Sequence, residues 1–358
     1  MHKFVRQLIT EWRRLKLPVE NATVVVAVSG GTDSNSLLLA LNDLKQRKKI
    51  NLRIVAAHFN HKLRGLESDG DEDFIRQLTT KLKIEFAVGH TKPDKTGNLE
   101  QNARSARYRF LTDTATSLNA FAVLTAHTMN DQAETFLMNL IRGSGPDGLR
   151  GMTVVRKLEE EKRKTGDEAK GRRVDLPSLS SPLLPFTPSP LLVRPLLTWA
   201  KRSSTEGYCH DLSMECRHDS MNDDTAFRRV RIRKILLPLL EDMNPNIVET
   251  LANTAALMPK PTVTPAPEQA ALKDASPLIK DLKQLSQSEL YEWIRAWLRR
   301  KRGSTRALQL KHIQSIERLI LSTKSGRVAE LPGNSSVVRA GGMLIYKENK
   351  VENSAADD

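Results

Sequence analysis

The sequence predicts an α/β fold in which a parallel sheet is flanked by helices and followed by a helical and a small α+β region. Four apolar, β-favouring runs alternate with amphipathic stretches, at residues 24–28, 52–58, 84–88 and 122–126. Continuous apolar strands between helices are typical of a parallel sheet covered on both faces. Polar clusters follow the first, second and last runs. Because such sheets bind ligands at the carboxyl ends of their strands, these clusters are the candidate site.

Composition limits the class of protein. The chain has 358 residues, of which 39% are hydrophobic and 27% charged, a globular profile with room for two or three domains. No apolar run is long enough for a membrane span, and the basic N-terminus lacks the apolar core of a secretory signal, so we predict no membrane and a cytoplasmic location. The net charge of +14 predicts a polyanionic partner, nucleic acid before an acidic membrane surface.

Shifts in composition divide the chain. Residues 157–191 are charged and then Pro/Ser-rich, which predicts a disordered insertion, and the Pro-rich stretch that follows residue 258 predicts a linker. The predicted segments are an N-terminal helix (1–21), a nucleotide-binding domain (22–200), a helical extension (201–258), a linker (259–275) and a basic α+β domain (276–358). In the last segment, "ELYEWIRAWLRRKRG" and "LKHIQSIERLIL" predict two amphipathic helices, and "GRVAELPGNSSVVRAGGMLIYK" predicts short strands.

The stretch "VVVAVSGGTDSNSLLLAL" places a glycine turn between a buried strand and a helix. A glycine pair lets backbone N–H groups approach an anion, and the helix adds its positive end. The hydroxyl groups donate to phosphate, and a carboxylate beside phosphate calls for Mg²⁺. A plain turn capped by Thr32 or Asp33 is the alternative. The candidate phosphate ligands are Ser29, Gly30, Gly31, Thr32, Asp33 and Ser34, and Asp33 is also the candidate metal ligand.

This loop resembles the Ser-Gly-Gly-x-Asp-Ser loop of the N-type ATP pyrophosphatases, the PP-loop family, which split ATP into AMP and pyrophosphate. NAD synthetases, GMP synthetases, tRNA thiolases and lysidine synthetases are similar there. The order of later motifs resembles the tRNA(Ile)-lysidine synthetase family over residues 24–245, and more weakly beyond. These motifs are "AHFNHKLRG", "NLEQNARSARYRFL", "TAHTMNDQAETFLMNLIRGSGPDGLRGM", "RPLL" and "DSMNDDTAFRRVRIRKILLPLLE".

The resemblance implies ATP-dependent ligation of L-lysine to C2 of the wobble cytidine of a tRNA(Ile) with a CAU anticodon. An adenylated cytidine is the intermediate, and AMP and pyrophosphate are released. The implied cofactors are ATP and Mg²⁺, the implied partners are tRNA(Ile) and L-lysine, and a homodimer is plausible. The catalytic residues would be Asp33, Arg107, His127 and Asp131, and Asp131 and Glu134 would hold lysine. The family usually has a histidine and an aspartate where this chain has Thr128 and Asn130.

The residues also have plainer interpretations. Arg104 and Arg107 lie on adjacent faces of one predicted helix, where Glu100 would form an ordinary surface pair. Asp131 and Glu134 have the spacing of a helix-capping box. The arginine run that begins at residue 228 is usually a solvated helix face, although its basic edge suits a phosphate backbone. The candidate RNA-binding residues are Arg64, Arg104, Arg194, Arg228, Arg229, Arg231 and Arg233.

Two other functions stay open. A tRNA thiolase would need cysteines to carry sulfur or a cluster, and Cys209 and Cys216 lie seven residues apart, outside the predicted sheet domain. A basic tRNA-binding protein that has lost catalysis would fit the Thr128 and Asn130 substitutions. The cysteine spacing fits no common zinc finger, and the two cysteines imply no disulfide framework. His58 and His61 suit polar contacts to RNA or nucleotide better than a metal site.

Overall fold

The computed structural model describes residues 1–62, 65–90, 99–158, 189–217, 224–258, 277–303 and 307–348. The chain divides into two compact units, one of Met1–Thr135 with Met152–Asn253, the other of Phe136–Gly151 with Thr254–Asp358. Arg64, the predicted linker 259–275 and most of the predicted insertion 157–191 lie outside the described residues. The domain boundaries drawn from composition stay predictions.

The first unit is built on a six-stranded sheet in the order β3-β2-β1-β4-β6-β5. Neighbouring strands are parallel except for β5, which runs antiparallel to β6 at one edge. The predicted α/β class with a parallel sheet is confirmed. The strands are β1 (Glu20–Ala27), β2 (Asn51–Asn60), β3 (Glu85–His90), β4 (Ala122–Leu124), β5 (Val155–Lys157) and β6 (Leu191–Val193).

Helices of the first unit pack on both faces of this sheet. The helices found along residues 1–258 are α1 (Lys3–Arg14), α2 (Thr32–Gln46), α3 (Leu66–Leu82), α4 (Leu99–Ser117), α5 (Met129–Ile141), α6 (Pro146–Leu149), α7 (Arg202–Asp211), α8 (Arg228–Arg231), α9 (Leu237–Met243) and α10 (Ile247–Leu257). A π-helical turn, Ile232–Leu236, joins α8 to α9. Pro238 follows directly after the first residue of α9. A proline has no N–H to donate one turn back, which favours this wider turn.

Alternation along the strands explains why both faces of the sheet are apolar. Val24 and Val26 pack with buried residues of α1 and α2, whereas Val25 packs with buried residues of α4. Successive side chains of a strand point to opposite faces, so a strand buried on both sides needs a continuous apolar run. The run that predicted β1 from sequence is therefore a direct consequence of its central position.

The strand order sets the position of the site. Strand β1 lies between β2 and β4, and the chain leaves β1 toward β2 on one side but reaches β4 on the other. At such a reversal the loops after neighbouring strands diverge and open a crevice at the carboxyl edge of the sheet. Residues 28–31 after β1 and 125–128 after β4 stand on either side of it.

The ends of the predicted insertion meet on the sheet. Lys157 of β5 pairs with Leu191 of β6, and the Leu158 backbone N–H donates to the Pro190 carbonyl at 3.0 Å. The entropic cost of closing a loop rises only slowly with its length. A long segment between two paired strands therefore costs little more to close than a short one.

The second unit has its own core. Its elements after residue 276 are α11 (Ile279–Leu282), α12 (Gln287–Arg302), α13 (Leu310–Leu321), β7 (Val328–Leu331), β8 (Ser335–Ala340) and β9 (Met343–Glu348), and the strands form an antiparallel sheet. Trp293 and Trp297, one turn apart on α12, stack with ring centroids 5.7 Å apart and are buried among leucines and isoleucines of α13. The predicted α+β character is confirmed.

Within the described residues, no helix is both long and apolar enough to cross a membrane.

A substitution at Gly89 of β3 would show how tightly helix α4 packs against the sheet. A Cβ at this position would lie 2.4 Å from Cδ2 of Phe110 on α4. We expect Gly89→Ala to lower the free energy of unfolding by about 1–3 kcal/mol because the phenyl ring must shift in a packed core. Gly207→Ala on α7 is the matched control, since nothing lies within 4 Å of its Cβ position.

The control should raise stability by roughly 0.5–1 kcal/mol, as alanine does in a helix interior. Urea unfolding of the three proteins measures both effects. Equal midpoints for wild type and Gly89→Ala would contradict this packing.

Candidate active site

The loop of residues 29–34 connects β1 to α2. Gly30 has φ +86° and Gly31 is the N-cap of α2, with no side-chain hydrogen bond to the helix end. The alternative interpretation, a cap by Thr32 or Asp33, does not hold, and N–H groups of the first turn stay available to an anion. The Ser34 hydroxyl holds the loop in shape: it accepts from the Ser29 backbone N–H at 3.1 Å and donates to the Gly31 carbonyl at 2.9 Å.

A cavity of about 330 Å³ opens at this edge of the sheet. Its lining brings together parts of four sequence motifs: Ser29, Asp33 and Ser34 after β1, His58 to His61 at the end of β2, Arg107 on α4, and His127 after β4. The volume is in the range typical of small-ligand sites. Parallel strands explain the convergence, since residues far apart in sequence end at the same edge.

Asp33 is the acidic group of the loop. Its Oδ1 accepts a hydrogen bond from the Thr205 hydroxyl of α7 at 2.5 Å, and within the described residues no donor reaches Oδ2. Burial raises the pKa of Asp33 to about 6, against the hydrogen bond from Thr205, which lowers it. A carboxylate with one oxygen fixed and the other available suits a hard cation, which would complete its shell with ligand oxygens and water. The described residues contain no cluster of three metal-ligating side chains.

Two arginines of α4 and Arg194, which directly follows β6, act on Tyr108, which is 1% exposed. The guanidinium carbons of Arg104 and Arg107 lie 4.7 and 5.5 Å from its ring centroid. Burial would raise the pKa of Tyr108, but the charges of Arg104 and Arg107 outweigh it and lower the pKa to about 8. Arg194 is also 1% exposed, and it donates to the Thr153 carbonyl at 2.7 Å. This region of the site therefore has a positive field.

Two histidines in the cavity are neutral. Burial, with the charges of Arg194 and Arg229, holds the pKa of His127 well below its usual value. Burial also lowers the pKa of His58, whose Nδ1 lies 2.9 Å from the Val28 carbonyl. Because a carbonyl only accepts, Nδ1 carries the proton and Nε2 is the acceptor. His58 Nε2 is buried without a hydrogen-bond partner in the described part of the chain, so it offers a lone pair to a ligand.

Asp131 and Glu134 of α5 are buried, at 8% and 0% exposure. Arg229 donates to both, at 2.9 Å to Asp131 Oδ1 and 2.7 Å to Glu134 Oε2. Arg233 and Arg202 donate to Glu134 Oε1 at 2.8 and 3.2 Å. Burial alone would raise the pKa of Glu134, but the hydrogen bond from Arg233 and the charge of Arg229 reverse this and lower it.

The arginines of residues 228–233 therefore have two different environments. Arg229 and Arg233 turn inward to the carboxylates, whereas Arg228 and Arg231 are exposed. Arg194 is buried. Its suggested contact to RNA, like those of the other arginines, stays a prediction, and Arg64 lies outside the described residues.

Thr128 and Asn130, the two residues that depart from the family pattern, both form hydrogen bonds at the start of a helix. The Thr128 backbone N–H and hydroxyl both donate to Asp131 Oδ2, at 2.9 and 3.1 Å, so Thr128 and Asp131 form the cap at the start of α5. The predicted capping box of Asp131 with Glu134 is wrong. Asn130 Oδ1 accepts the Arg202 backbone N–H at the start of α7, at 2.9 Å.

Comparison with known proteins shows which family the chain belongs to. The sequence profile of the PP-loop domain matches residues 3–240, more than half of the chain. The chain belongs to the PP-loop domain family. The 29–34 loop is its PP-loop.

Named relatives are tRNA(Ile)-lysidine synthases. The chain is 32% identical to that of Geobacter sulfurreducens, over 88% of this chain and 63% of the relative. It is 31% identical to that of Solibacter usitatus, over 87% of this chain and 64% of the relative. The chain thus spans less than two thirds of the length of these curated relatives. A U34-tRNA thiolase from Methanococcus maripaludis, solved with its [4Fe-4S] cluster, has a similar fold, with a TM-score of 0.52, 16% identity and coverage of 71% of this chain and 77% of that one.

Sequence reasoning missed several residues around the PP-loop. Thr205 and Arg202 reach the loop and the carboxylates from α7, more than 60 residues away in sequence, and no local motif marks them. Tyr108 had a signal, since it stands beside Arg107 in a predicted helix. Cys209 and Cys216 lie against the PP-loop, where sequence placed them outside the sheet domain.

The buried ion cluster should control stability. We expect Glu134→Ala to lower the free energy of unfolding by about 3–5 kcal/mol, because it leaves buried guanidinium groups without their counter-charge. Glu249→Ala is the control, since it removes a half-exposed partner of Lys201, and should cost less than about 1 kcal/mol. Urea unfolding measures both, and similar costs for the two variants would count against the cluster.

Asp33 should destabilise the fold at neutral pH. Its pKa of about 6 exceeds the ordinary 3.8, so the folded state holds the proton more tightly and stability falls as pH rises through this window. We expect Asp33→Asn to have a free energy of unfolding roughly 1–3 kcal/mol above that of wild type near pH 7.5. This gain in stability should disappear at about pH 4.

Urea unfolding at both pH values, with a chelator present, measures the gain. Asp43→Asn, which removes a carboxylate bonded to Arg47 on the outer face of α2, should show no gain at either pH. A gain for Asp33→Asn that does not change with pH would contradict the assignment.

Proposed function

We propose that this chain is a tRNA(Ile)-lysidine synthetase, which joins L-lysine to C2 of the wobble cytidine of a tRNA(Ile) with a CAU anticodon at the expense of ATP. The observation that carries the proposal is the single cavity lined by the PP-loop, Arg107 and His127, with two buried carboxylates on the adjoining helix. The tRNA(Ile)-lysidine synthases among its relatives support the choice of reaction.

In this proposal ATP binds with its phosphates on the PP-loop. The backbone N–H groups at the start of α2, with the hydroxyls of Ser29 and Thr32, hold the phosphate oxygens, while the Ser34 hydroxyl keeps the loop in shape. His58 Nε2 accepts a hydrogen bond from the nucleoside part. Asp33 would hold Mg²⁺ through its available carboxylate oxygen, and the ion would neutralise phosphate charge.

The chemistry runs in two steps. The O2 atom of cytidine attacks the α-phosphorus of ATP, an O–P bond forms, and pyrophosphate leaves. The ε-amine of lysine then attacks C2, and the C2–O2 bond breaks as AMP departs with the oxygen. Arg107 offsets charge that develops on the phosphates, and neutral His127 is able to accept a proton in the cavity.

Lysine recognition is assigned to Asp131 and Glu134. Their oxygens already accept from Arg202, Arg229 and Arg233, so the lysine ammonium must take the place of a guanidinium group. Lysine binding then requires the Arg229 side chain of α8 to move. The lysine ammonium group takes its place beside the carboxylates. The displaced arginine is available to the lysine carboxylate or to a phosphate.

The tRNA partner is inferred from charge. The net charge of +14 and the exposed Arg228 and Arg231 suit a phosphate backbone. The target cytidine must leave its stack to reach the cavity, which costs a few kcal/mol that contacts to the tRNA body would offset. A cytoplasmic location and a homodimer stay predictions that go with this function.

The first test measures pyrophosphate release and transfer of radiolabelled lysine on the same samples. We expect label in tRNA(Ile) and none in elongator tRNA(Met), with pyrophosphate release dependent on tRNA. Arg107→Lys should lower the rate by about 10²–10³, since one donor to the developing charge is lost, and Asp33→Ala should abolish it. Arg47→Lys on the outer face of α2 is the matched control and should leave the rate unchanged.

Each other outcome identifies an alternative. Pyrophosphate without lysine transfer would indicate another nucleophile, as in a tRNA thiolase. Binding of tRNA without ATP turnover would indicate a binding protein that has lost its catalysis, and would overturn the proposed function.

A further inference from the structure

The two cysteines of the chain meet beneath the PP-loop. Cys209 lies on α7 and is 3% exposed, whereas Cys216 follows the helix and is half-buried. Both side chains lie against the first turn of α2, Cys209 at the Thr32 carbonyl and Cys216 at the Asn35 amide. A turn in which the Met214 backbone N–H donates to the Cys209 carbonyl at 2.9 Å brings the two positions together. The sequence contains no other cysteine.

The pair also contacts the loop itself. Cys209 Sγ donates to the Thr32 carbonyl at 3.6 Å, and Asn35 Nδ2 donates to Cys216 Sγ at 3.5 Å. The same Asn35 nitrogen donates to the Gly30 carbonyl at 2.7 Å. One amide group therefore bridges a cysteine sulfur and the PP-loop backbone.

The residue after Cys216 extends this contact. The Arg217 backbone N–H donates to the Gly30 carbonyl at 3.1 Å, and its Cβ lies 3.5 Å from where a Cβ of Gly30 would be. Arg217 Nε donates to the buried carboxylate of Asp71 on α3, at 3.0 Å. Residues 214–217 thus form a strap that touches the PP-loop on one side and is fixed to α3 on the other. Displacement of Cys216 must move the strap, and with it a bond to Gly30.

We propose that Cys209 and Cys216 are an oxidisable dithiol whose disulfide loosens the PP-loop and so weakens nucleotide binding. The effect on ATP rests on the proposed function, whereas disulfide formation and loop mobility do not.

The oxidant is a small disulfide such as oxidised glutathione. The Cys216 thiolate attacks one of its sulfur atoms, a mixed disulfide forms, and one glutathione thiol leaves. Cys209 then attacks the Cys216 sulfur and releases the second glutathione thiol. The protein gives up two protons and two electrons, and oxidised glutathione becomes two thiols.

The surroundings favour Cys216 as the attacking residue. The neighbouring Cys209 and the amide of Asn35 outweigh burial and lower the pKa of Cys216 to about 6, whereas the neighbouring Cys216 and burial raise the pKa of Cys209. Cys216 is also the more exposed of the two. A half-buried thiolate beside a second thiol is the usual arrangement of a reactive pair.

The disulfide removes the contacts that hold the loop. Cys209 no longer has an S–H to donate to the Thr32 carbonyl, and the Cys216 sulfur must shift to reach bonding distance of Cys209, which disturbs its contact with Asn35. Two polar contacts to the loop are then lost or weakened, which corresponds to about tenfold in an equilibrium constant.

The test equilibrates the full chain in glutathione buffers of increasing oxidation and quenches it with a thiol-alkylating reagent. Intact mass and a non-reducing gel report the disulfide. Because the chain holds two cysteines, a bond within one molecule joins Cys209 to Cys216. Amide hydrogen exchange over residues 28–37 reports loop mobility, and ATP affinity is measured on the same samples.

We expect an intramolecular disulfide in wild type that a dithiol reductant reverses. Exchange of the loop amides should quicken, and ATP affinity should fall about tenfold on oxidation. Cys209→Ser and Cys216→Ser are each compared with themselves in the oxidised and reduced buffers, and neither should form an intramolecular disulfide. Cys216→Ser, which lacks the attacking thiol, should show no change in loop exchange or ATP affinity. A glutathione adduct on the Cys209→Ser protein would identify Cys216 as the attacking thiol.

Three results separate the hypotheses. Failure of the intramolecular bond to form would overturn the proposal. A bond that leaves both loop exchange and ATP affinity unchanged would overturn its link to the PP-loop. If the reduced protein does not bind ATP, the proposed function fails, while mass and hydrogen exchange still decide the disulfide and its effect on the loop.

Discussion

Glu134 is the residue on which the arrangement of the site depends. It is 0% exposed, and its two oxygens accept from Arg202, Arg229 and Arg233. A carboxylate this deep is tolerated only when its charge is compensated, and guanidinium groups in turn need it. The requirement ties three separate parts of the chain, α5, α7 and α8, to one point. Since α7 also supplies Thr205 to Asp33, the ion cluster and the PP-loop share a support.

The same arginines set the protonation of the cavity. The positive charges of Arg194 and Arg229 help to keep His127 neutral, and those of Arg104 and Arg107 lower the pKa of Tyr108 to about 8. A site with this field disfavours added cations and favours polyphosphate. Asp33 is the exception, since burial raises its pKa. A divalent ion between Asp33 and phosphate would remove this conflict, which is why loop and ion belong together in the proposed reaction.

Local patterns in the sequence predicted the sheet, the PP-loop and the helices of the second unit, because period-two and helical patterns are direct consequences of burial. Positions that depend on distant contacts were missed. Arg229 and Arg233 looked like a solvated basic face, and only the packing of α8 against α5 turns them inward. Likewise Asp131 was paired with the wrong capping partner, since the choice of Thr128 depends on where α5 begins.

In the proposed reaction, recognition of the lysine amine by this site has to be an exchange. Asp131 and Glu134 together carry two negative charges against three guanidinium groups, so an added ammonium would enter a site that is already positive. It becomes favourable once an arginine leaves, and Arg229, which donates to both carboxylates, is the one whose departure removes a hydrogen bond from each. Arg229 lies in α8 beside Arg228 and Arg231, which face solvent. A polyanion bound at that exposed edge would attract Arg229 outward, and in this way RNA binding would open the acidic pair to the amine.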